Sequence, residues 1–240
     1  MVFLPIARSG EKRTLLVLLS IILAIEPAMS GEKDAVLPNV FDNAAAERWP
    51  AGKVPVGAGF AVSSGGRILT AAHVVAGCKK IEVQAPGGEV KPALLIGVDS
   101  RIDLALLSAP GVKAAIGSIV MPESIDDASF TVVGFGQPHH AAAEPVAVVV
   151  KGNGTTDELA SGPLFRLEGR LEPGTSGSAV ISDRGHVVGM VIGRFGTDGS
   201  HIAAVEAADI VRFLAYFGII QEPPPMAVVA LDAALLVQCR

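Results

Sequence analysis

Eleven short runs of β-branched and aliphatic residues, separated by glycine- and proline-bearing turns, constrain this chain more than any other feature. Five lie early: Gly59 to Val62, Arg67 to Leu69, Ile81 to Gln84, Ala93 to Val98 and Leu104 to Leu107. Six lie later: Phe130 to Val133, Val146 to Val150, Leu164 to Leu167, Ser178 to Ile181, His186 to Ile192 and Ile202 to Val205. Runs of this length are strand-sized. Gly65-Gly66 and Pro86-Gly87-Gly88 punctuate them as hairpin turns. The 27 glycines and 16 prolines are scattered, as a strand-and-turn protein requires. The pattern predicts an all-β protein. Glu206 to Gly218 is the exception: Ile210, Val211, Leu214 and Phe217 have helical spacing and Gly218 is a stop. Beyond it, Pro223-Pro224-Pro225 breaks regular structure and Met226 to Val237 is again apolar. That tail is open to three readings: a packed helix, a strand or a partner-binding segment. It is too short for a typical membrane span, and Asp232 interrupts it.

The N-terminus has its own logic. Arg8, Lys12 and Arg13 precede an apolar run from Leu15 to Ile25, and Ala28-Met29-Ser30 supplies small residues before Gly31. This predicts a signal peptide over 1–30 and a secreted or periplasmic protein with no stable membrane span once the signal is cleaved. Residues 31–50 read as an N-terminal arm or a propeptide. The remaining 210 residues are enough to bury a self-sufficient core. Net charge is −5 for the whole chain and −6 without the leader, with no basic stripe, which argues against a nucleic-acid partner. Cys78 and Cys239 can bridge in an oxidising compartment or stay as two thiols, and the sequence leaves both open. With distant histidines they make no zinc spacing, so neither metal nor cofactor is expected.

Three segments carry chemistry. In Glu172-Pro173-Gly174-Thr175-Ser176-Gly177-Ser178 a serine sits among small residues in a turn, where a substrate carbonyl can approach the backbone. In Arg67-Ile68-Leu69-Thr70-Ala71-Ala72-His73 an apolar strand runs through small residues into a histidine. In Ile102-Asp103-Leu104-Ala105-Leu106-Leu107 one carboxylate heads an apolar run. A serine hydroxyl is a weak nucleophile at neutral pH and needs a base. Histidine has the pKa for that task, and a carboxylate holds its tautomer. The chain order His, Asp, Ser belongs to one of the known arrangements of this trio.

The chain resembles the trypsin-like (chymotrypsin-fold) serine proteases of bacterial type. Gly57-Ala58-Gly59-Phe60-Ala61-Val62 is similar to the strand before the catalytic His, and Leu69-Thr70-Ala71-Ala72-His73 to the signature around it. Val132-Val133-Gly134-Phe135-Gly136 resembles the strand that begins the second barrel, and Gly174 to Ser178 the nucleophile loop. The likeness covers roughly residues 50–218. It implies two six-stranded antiparallel β-barrels over 51–121 and 122–205, a C-terminal helix over 206–220 and a tail over 221–240. It also implies an exported serine endopeptidase acting on protein or peptide substrates through an acyl-enzyme. The alternative is a catalytically silent relative used as a binding module. Thr175 stands where animal trypsins carry the Asp that receives a new N-terminus, so that activation route is not expected. Some likeness to glutamyl endopeptidases extends over Gly174 to Val180 and Ala208 to Leu214, but Gly189-Met190-Val191-Ile192-Gly193 lacks the His of their specificity pocket.

The resemblance assigns Ser176 as nucleophile, His73 as general base and then acid, and Asp103 as its orienter, with Asp99 as the fallback carboxylate. Gly174 and Ser176 are the expected oxyanion-hole N–H donors. Arg170 and Arg194 fall near the expected substrate pocket, where two cations would favour an acidic side chain, unless both face solvent. The bridge that the family often places beside this His is absent, because Val74 follows His73 directly. His139 and His140 read as loop residues, His186 as a hairpin residue, and His201 precedes a late strand with no assigned role.

Overall fold

The early runs form strands β1 (Val56–Ser63), β2 (Arg67–Ala71), β3 (Ile81–Gln84), β4 (Val90–Asp99) and β5 (Leu104–Ser108). The later runs form β6 (Ser129–Gly134), β7 (Val146–Gly152), β8 (Asp157–Leu159), β9 (Gly162–Glu168), β10 (Ala179–Ser182), β11 (Val187–Phe195) and β12 (His201–Glu206). A final strand, β13, spans Ala234–Cys239. The computed structural model describes residues 56–135, 144–154, 157–159, 162–195, 199–220 and 230–240, all within one compact unit, Leu37–Arg240. The leader and arm expected over 1–30 and 31–50 lie outside the described residues, as do His139 and His140. Among the described residues no helix is long and apolar enough to cross a membrane.

Two closed six-stranded antiparallel barrels result, as expected. The second is a ring in the order β12-β11-β10-β6-β7-β9, closed by pairing of β9 with β12, while β8 folds back on β9 as a hairpin outside the ring. The first barrel runs β1-β13-β3-β4-β5-β2. Its sixth strand therefore comes from the tail, which corrects the expected boundary of 51–121 and selects the strand reading among the three. The physical reason is edge pairing: β1 and β3 would otherwise present unpaired N–H and C=O groups. β13 bonds β1 from Val56↔Gln238 to Phe60↔Ala234 and β3 from Leu236↔Gln84 to Cys239↔Ile81.

Period-2 alternation sets which way β13 faces. Leu235 and Val237 join the main core with Phe60, Ile68, Leu69 and Leu106. Ala234 and Leu236 join a cluster with Val56, Ala58, Val133 and Phe135, between β1, β6 and β13. Met190 and Ile192 of β11 belong to the main core too, so apolar packing is continuous from one barrel into the other. A separate core of the second barrel centres on Phe130, Phe165, Leu167 and Ile202.

The chain end is fastened. A disulfide joins Cys78 to Cys239, settling the choice left open by the sequence. Lys79 N and Lys80 N donate to Arg240 O at 2.9 and 2.7 Å, and Arg240 N donates to Lys80 O at 2.8 Å. Glu82, only 9% exposed, accepts from Lys80 Nζ at 2.5 Å and Arg240 Nε at 2.8 Å. The Lys80 hydrogen bond holds its carboxyl below the ordinary value against the opposing effect of burial, and the Arg240 charge adds to that.

Three short helices complete the described chain. One turn, α1 (Ala72–Val75), follows β2 directly. The expected C-terminal helix is α2 (Ala207–Tyr216), burying Ala207, Asp209, Ile210, Phe213 and Leu214. It ends where Gly218 adopts φ 68 and Ile219 N donates to Leu214 O at 3.0 Å. One further turn, α3 (Ala230–Ala233), leads into β13.

Candidate active site

The site begins where β2 stops. Ala71 is extended, Ala72 starts α1, and His73 is its second residue. Asp103 ends the turn between β4 and β5 in the left-handed conformation, φ 56, which aspartate tolerates better than most side chains. In that conformation it grips the start of α1 three times. Ala72 N donates to Asp103 O at 3.0 Å and His73 N to Oδ1 at 2.9 Å. His73 Nδ1 pairs with Oδ2 at 2.6 Å. Asp103 is buried, 4% exposed, while the His73 side chain keeps 31% of its surface open. An imidazole held through Nδ1 by a buried carboxylate presents Nε2 outward. The fallback Asp99 is occupied elsewhere: it takes Arg101 N at 3.0 Å and the Arg101 guanidinium at 2.8 Å. Those bonds hold its carboxyl below the ordinary range.

Ser176 lies in the loop before β10. Glu172 to Thr175 forms a turn with Pro173 and Gly174 (φ 94) at its centre, which is the type II pattern. Thr175 braces that turn, its hydroxyl donating to Glu172 O at 2.9 Å. This loop is thus held from within. Gly177 N donates to Val191 O at 2.8 Å and Ser178 N to Thr175 O at 3.0 Å. The N–H groups of Gly174 and Ser176 enter no hydrogen bond among the described residues. The hydroxyl of Ser176, half-buried, also makes none among them.

Two glycines bring the loop to α1. Ala58 N of β1 donates to Ser176 O at 2.8 Å. A Cβ at Gly57 would lie 2.6 Å from Val74 Cγ2 and 2.9 Å from Ser176 O, so the residue after His73 and the backbone of Ser176 meet over that glycine. A Cβ at Gly177 would lie 2.1 Å from Ala58 O and 2.7 Å from Thr70 Oγ1. Thr70, missed by sequence reading, donates to Ala58 O at 2.6 Å from a fully buried position. Its place three residues before His73 was the available signal. Ser178 Oγ, two residues after Ser176, is buried and without a partner among the described residues.

The two arginines expected near a substrate pocket separate. Arg170 is exposed. Arg194, half-buried on β11, reaches across to Leu171 and donates from Nη1 to its carbonyl at 3.0 Å. His201 stacks on Phe195 at 5.3 Å between centroids. His186 sits in the β10–β11 hairpin, its N–H donating to Ser182 Oγ at 3.2 Å. Groups of three or more metal-ligating side chains are absent among the described residues. A cavity of about 580 Å³ opens between Ser63, Ile68, Pro86, Val112, Lys113 and Asp232, and none of its lining residues belongs to this site.

Comparison with known proteins identifies the family and the fold. The family description "Trypsin-like peptidase domain" matches residues 57–190. An uncharacterized protein, y4bJ, of Sinorhizobium fredii is 32% identical over 142 residues, covering 56% of this chain and 21% of that protein. A probable periplasmic serine endoprotease, DegP-like, of Pseudomonas putida is 30% identical over 138 residues, covering 56% of this chain and 28% of its own length. The chain therefore spans less than a third of either relative. Among solved structures, the HtrA-type protease AlgW with a decapeptide superposes with a TM-score of 0.59 at 21% identity, covering 68% of this chain and 52% of that one, a likeness of fold.

Proposed function

Because the chain belongs to the trypsin-like peptidase domain family, we propose that it is an exported serine endopeptidase working through Ser176, His73 and Asp103. The observation that carries this reading is the His73 Nδ1 to Asp103 Oδ2 bond of 2.6 Å on a barrel whose first strand also holds the carbonyl of Ser176. The hydroxyl-to-imidazole hydrogen bond is then completed in the substrate complex, as catalytic hydrogen bonds commonly tighten there.

The chemistry follows from these groups. Nε2 of His73 takes the proton as Ser176 Oγ attacks the scissile carbonyl carbon. The carbonyl oxygen becomes an oxyanion, which the N–H groups of Gly174 and Ser176 receive. One such donor is worth about 3 kcal/mol of barrier in comparable sites. Collapse breaks the C–N bond, and His73 gives its proton to the leaving amine. The ester on Ser176 is then hydrolysed by a water that His73 deprotonates, returning the free serine and a carboxylic acid. Asp103 stabilises the imidazolium in both halves and is not itself protonated.

A peptide substrate fits the strand edge beside the nucleophile. β10 pairs with β11 as far as Met190, and among the described residues no strand pairs with that edge of Ile192 to Phe195. An extended peptide can add there by main-chain hydrogen bonds. Export is supported by the leader-like N-terminus and by the Cys78–Cys239 disulfide, which suits an oxidising compartment.

Labelling tests the reading. A fluorophosphonate should modify wild-type protein at Ser176, and His73→Ala should abolish labelling. Asp103→Asn should keep the fold, since asparagine also tolerates the left-handed conformation, yet lower kcat by about 10⁴ through the wrong imidazole tautomer. A wild-type protein that takes no label and cleaves no peptide would return the chain to the silent binding-module alternative.

A further inference from the structure

We infer that Thr70 is a positioning residue for peptide hydrolysis: its hydroxyl, acting through the backbone of Ala58, sets the distance between Ser176 on the second barrel and His73 on the first. The inference rests on the peptidase reading above and adds a residue to it.

The backbone of Ala58 comes first. β2 pairs with β1 only as far as Thr70↔Gly59, and the chain then turns into α1 at Ala72. In an antiparallel ladder the N–H and C=O of one residue point to the same side. The departure of β2 therefore leaves both groups of Ala58 without a partner on that strand, and buried backbone groups need one. The second barrel supplies the acceptor: Ala58 N donates to Ser176 O at 2.8 Å. The first barrel supplies the donor: Thr70 Oγ1 donates to Ala58 O at 2.6 Å. Ala58 and Thr70 are both fully buried, so water does not compete for either bond.

These two bonds join the proposed nucleophile to the strand that leads into the proposed base. Ser176 is held by Ala58, Ala58 by Thr70, and His73 follows Thr70 by three residues. On its other side β2 pairs Thr70 with Ala105 of β5, two residues beyond Asp103. The nucleophile loop is seated on the link itself: a Cβ at Gly177 would lie 2.1 Å from Ala58 O and 2.7 Å from Thr70 Oγ1. The His73–Asp103 pair, by contrast, is made wholly within the first barrel. The Thr70 hydroxyl thus governs a relation between the barrels and leaves that pair alone. Size sets the expected effect. A methyl group in place of the hydroxyl needs about 3.3 Å from a carbonyl oxygen, so the link must lengthen by roughly 0.7 Å. Displacements on the order of 1 Å between reacting groups cost about 10²-fold in rate.

The experiment uses full-length exported protein on one fluorogenic peptide, with active sites counted by fluorophosphonate titration. Thr70→Val keeps the shape of the side chain and removes the hydroxyl. Its kcat should fall about 10- to 100-fold with KM nearly unchanged, and its rate of fluorophosphonate labelling should fall by the same factor. Thr70→Ser keeps the hydrogen bond and should stay within about threefold of wild type. The acid limb of the kcat/KM profile reports protonation of the base in the free enzyme, and it should not move in either variant. General damage to β2 would disturb the His73–Asp103 pair and move that limb. Three results overturn the inference: Thr70→Val with wild-type kcat, Thr70→Ser as slow as Thr70→Val, or a loss of rate accompanied by a shifted acid limb. Should Thr70→Val fail to fold, Thr70→Ala takes its place with the same expected loss, and full activity there overturns the inference as well. Wild-type protein that takes no fluorophosphonate sinks the peptidase reading itself, a separate result.

Discussion

The second barrel closes with strands that follow one another along the chain, from Ser129 to Glu206; the first borrows Ala234–Cys239 from the far end. The two halves of the candidate site fall on opposite sides of that difference. Ser176 and its turn belong to the barrel that is complete within its own stretch of sequence. His73 and Asp103 belong to the barrel that stays open until the last strand arrives. Closing a contact across so much chain carries a loop entropy that local hairpins avoid. The disulfide fixes the contact at a sequence separation of 161. The proposed base and its orienter are therefore conditional on the C-terminus, and the proposed nucleophile is not.

The largest effect should come from removing the borrowed strand. Ending the chain at residue 229 strips Leu235, Leu236 and Val237 from two cores and leaves β1 and β3 with bare edges. Burial of three such side chains is worth roughly 5 kcal/mol, comparable to a domain's whole stability. Peptidase activity should vanish. Amide hydrogen exchange should lose protection over 56–108 while strands between 129 and 206 keep theirs. Equal loss in both barrels would break the comparison.

A smaller effect is expected from the disulfide alone. Cys78→Ser with Cys239→Ser should cost about 2–5 kcal/mol in urea unfolding, with β13 still able to pair. The loss should show first in the barrel of His73, read by amide hydrogen exchange that speeds up over 56–108 before it changes over 129–206. Unchanged stability would mean that the hydrogen bonds at Arg240 hold the strand unaided.

The smallest effect is acid sensitivity at the same fastening. Glu82 has its carboxyl lowered in the folded state, chiefly by the Lys80 hydrogen bond, from 4.5. A lowered carboxyl adds stability that is complete above the unfolded value and is lost as pH falls through the folded one. Stability of the first barrel should thus decline below about pH 4.5, and Glu82→Gln should flatten that decline. A slope unchanged by the substitution would place the acid sensitivity elsewhere.

Much of this was legible in advance. Strand positions followed from alternation and turn residues, which are local properties. The trio of His73, Asp103 and Ser176 stood in recognisable segments because each needs a particular strand end or turn around it. The tail was the blind spot. Met226 to Val237 read as apolar but ambiguous, since its partners β1 and β3 lie more than 140 residues away. Nothing local marks which edges will be left unpaired. The arginines show the same limit. Arg170 and Arg194 looked equivalent by position, and only the course of the backbone sent one to solvent and the other to Leu171. Thr70 went unnoticed because its acceptor, Ala58 O, is a contact across β1 and β2 rather than along the chain.

The amino-acid order by itself determined the strand-and-turn character, the helix after β12 and the three residue types that peptide hydrolysis needs. Backbone preferences and side-chain alternation act over a few residues, so they can be read there. Tertiary structure decided the sixth strand of the first barrel, the pairing of Cys78 with Cys239 and the direction of Arg194. Those depend on which hydrogen-bonding edges and apolar faces remain uncovered once everything else has folded, and that is a property of the whole assembly.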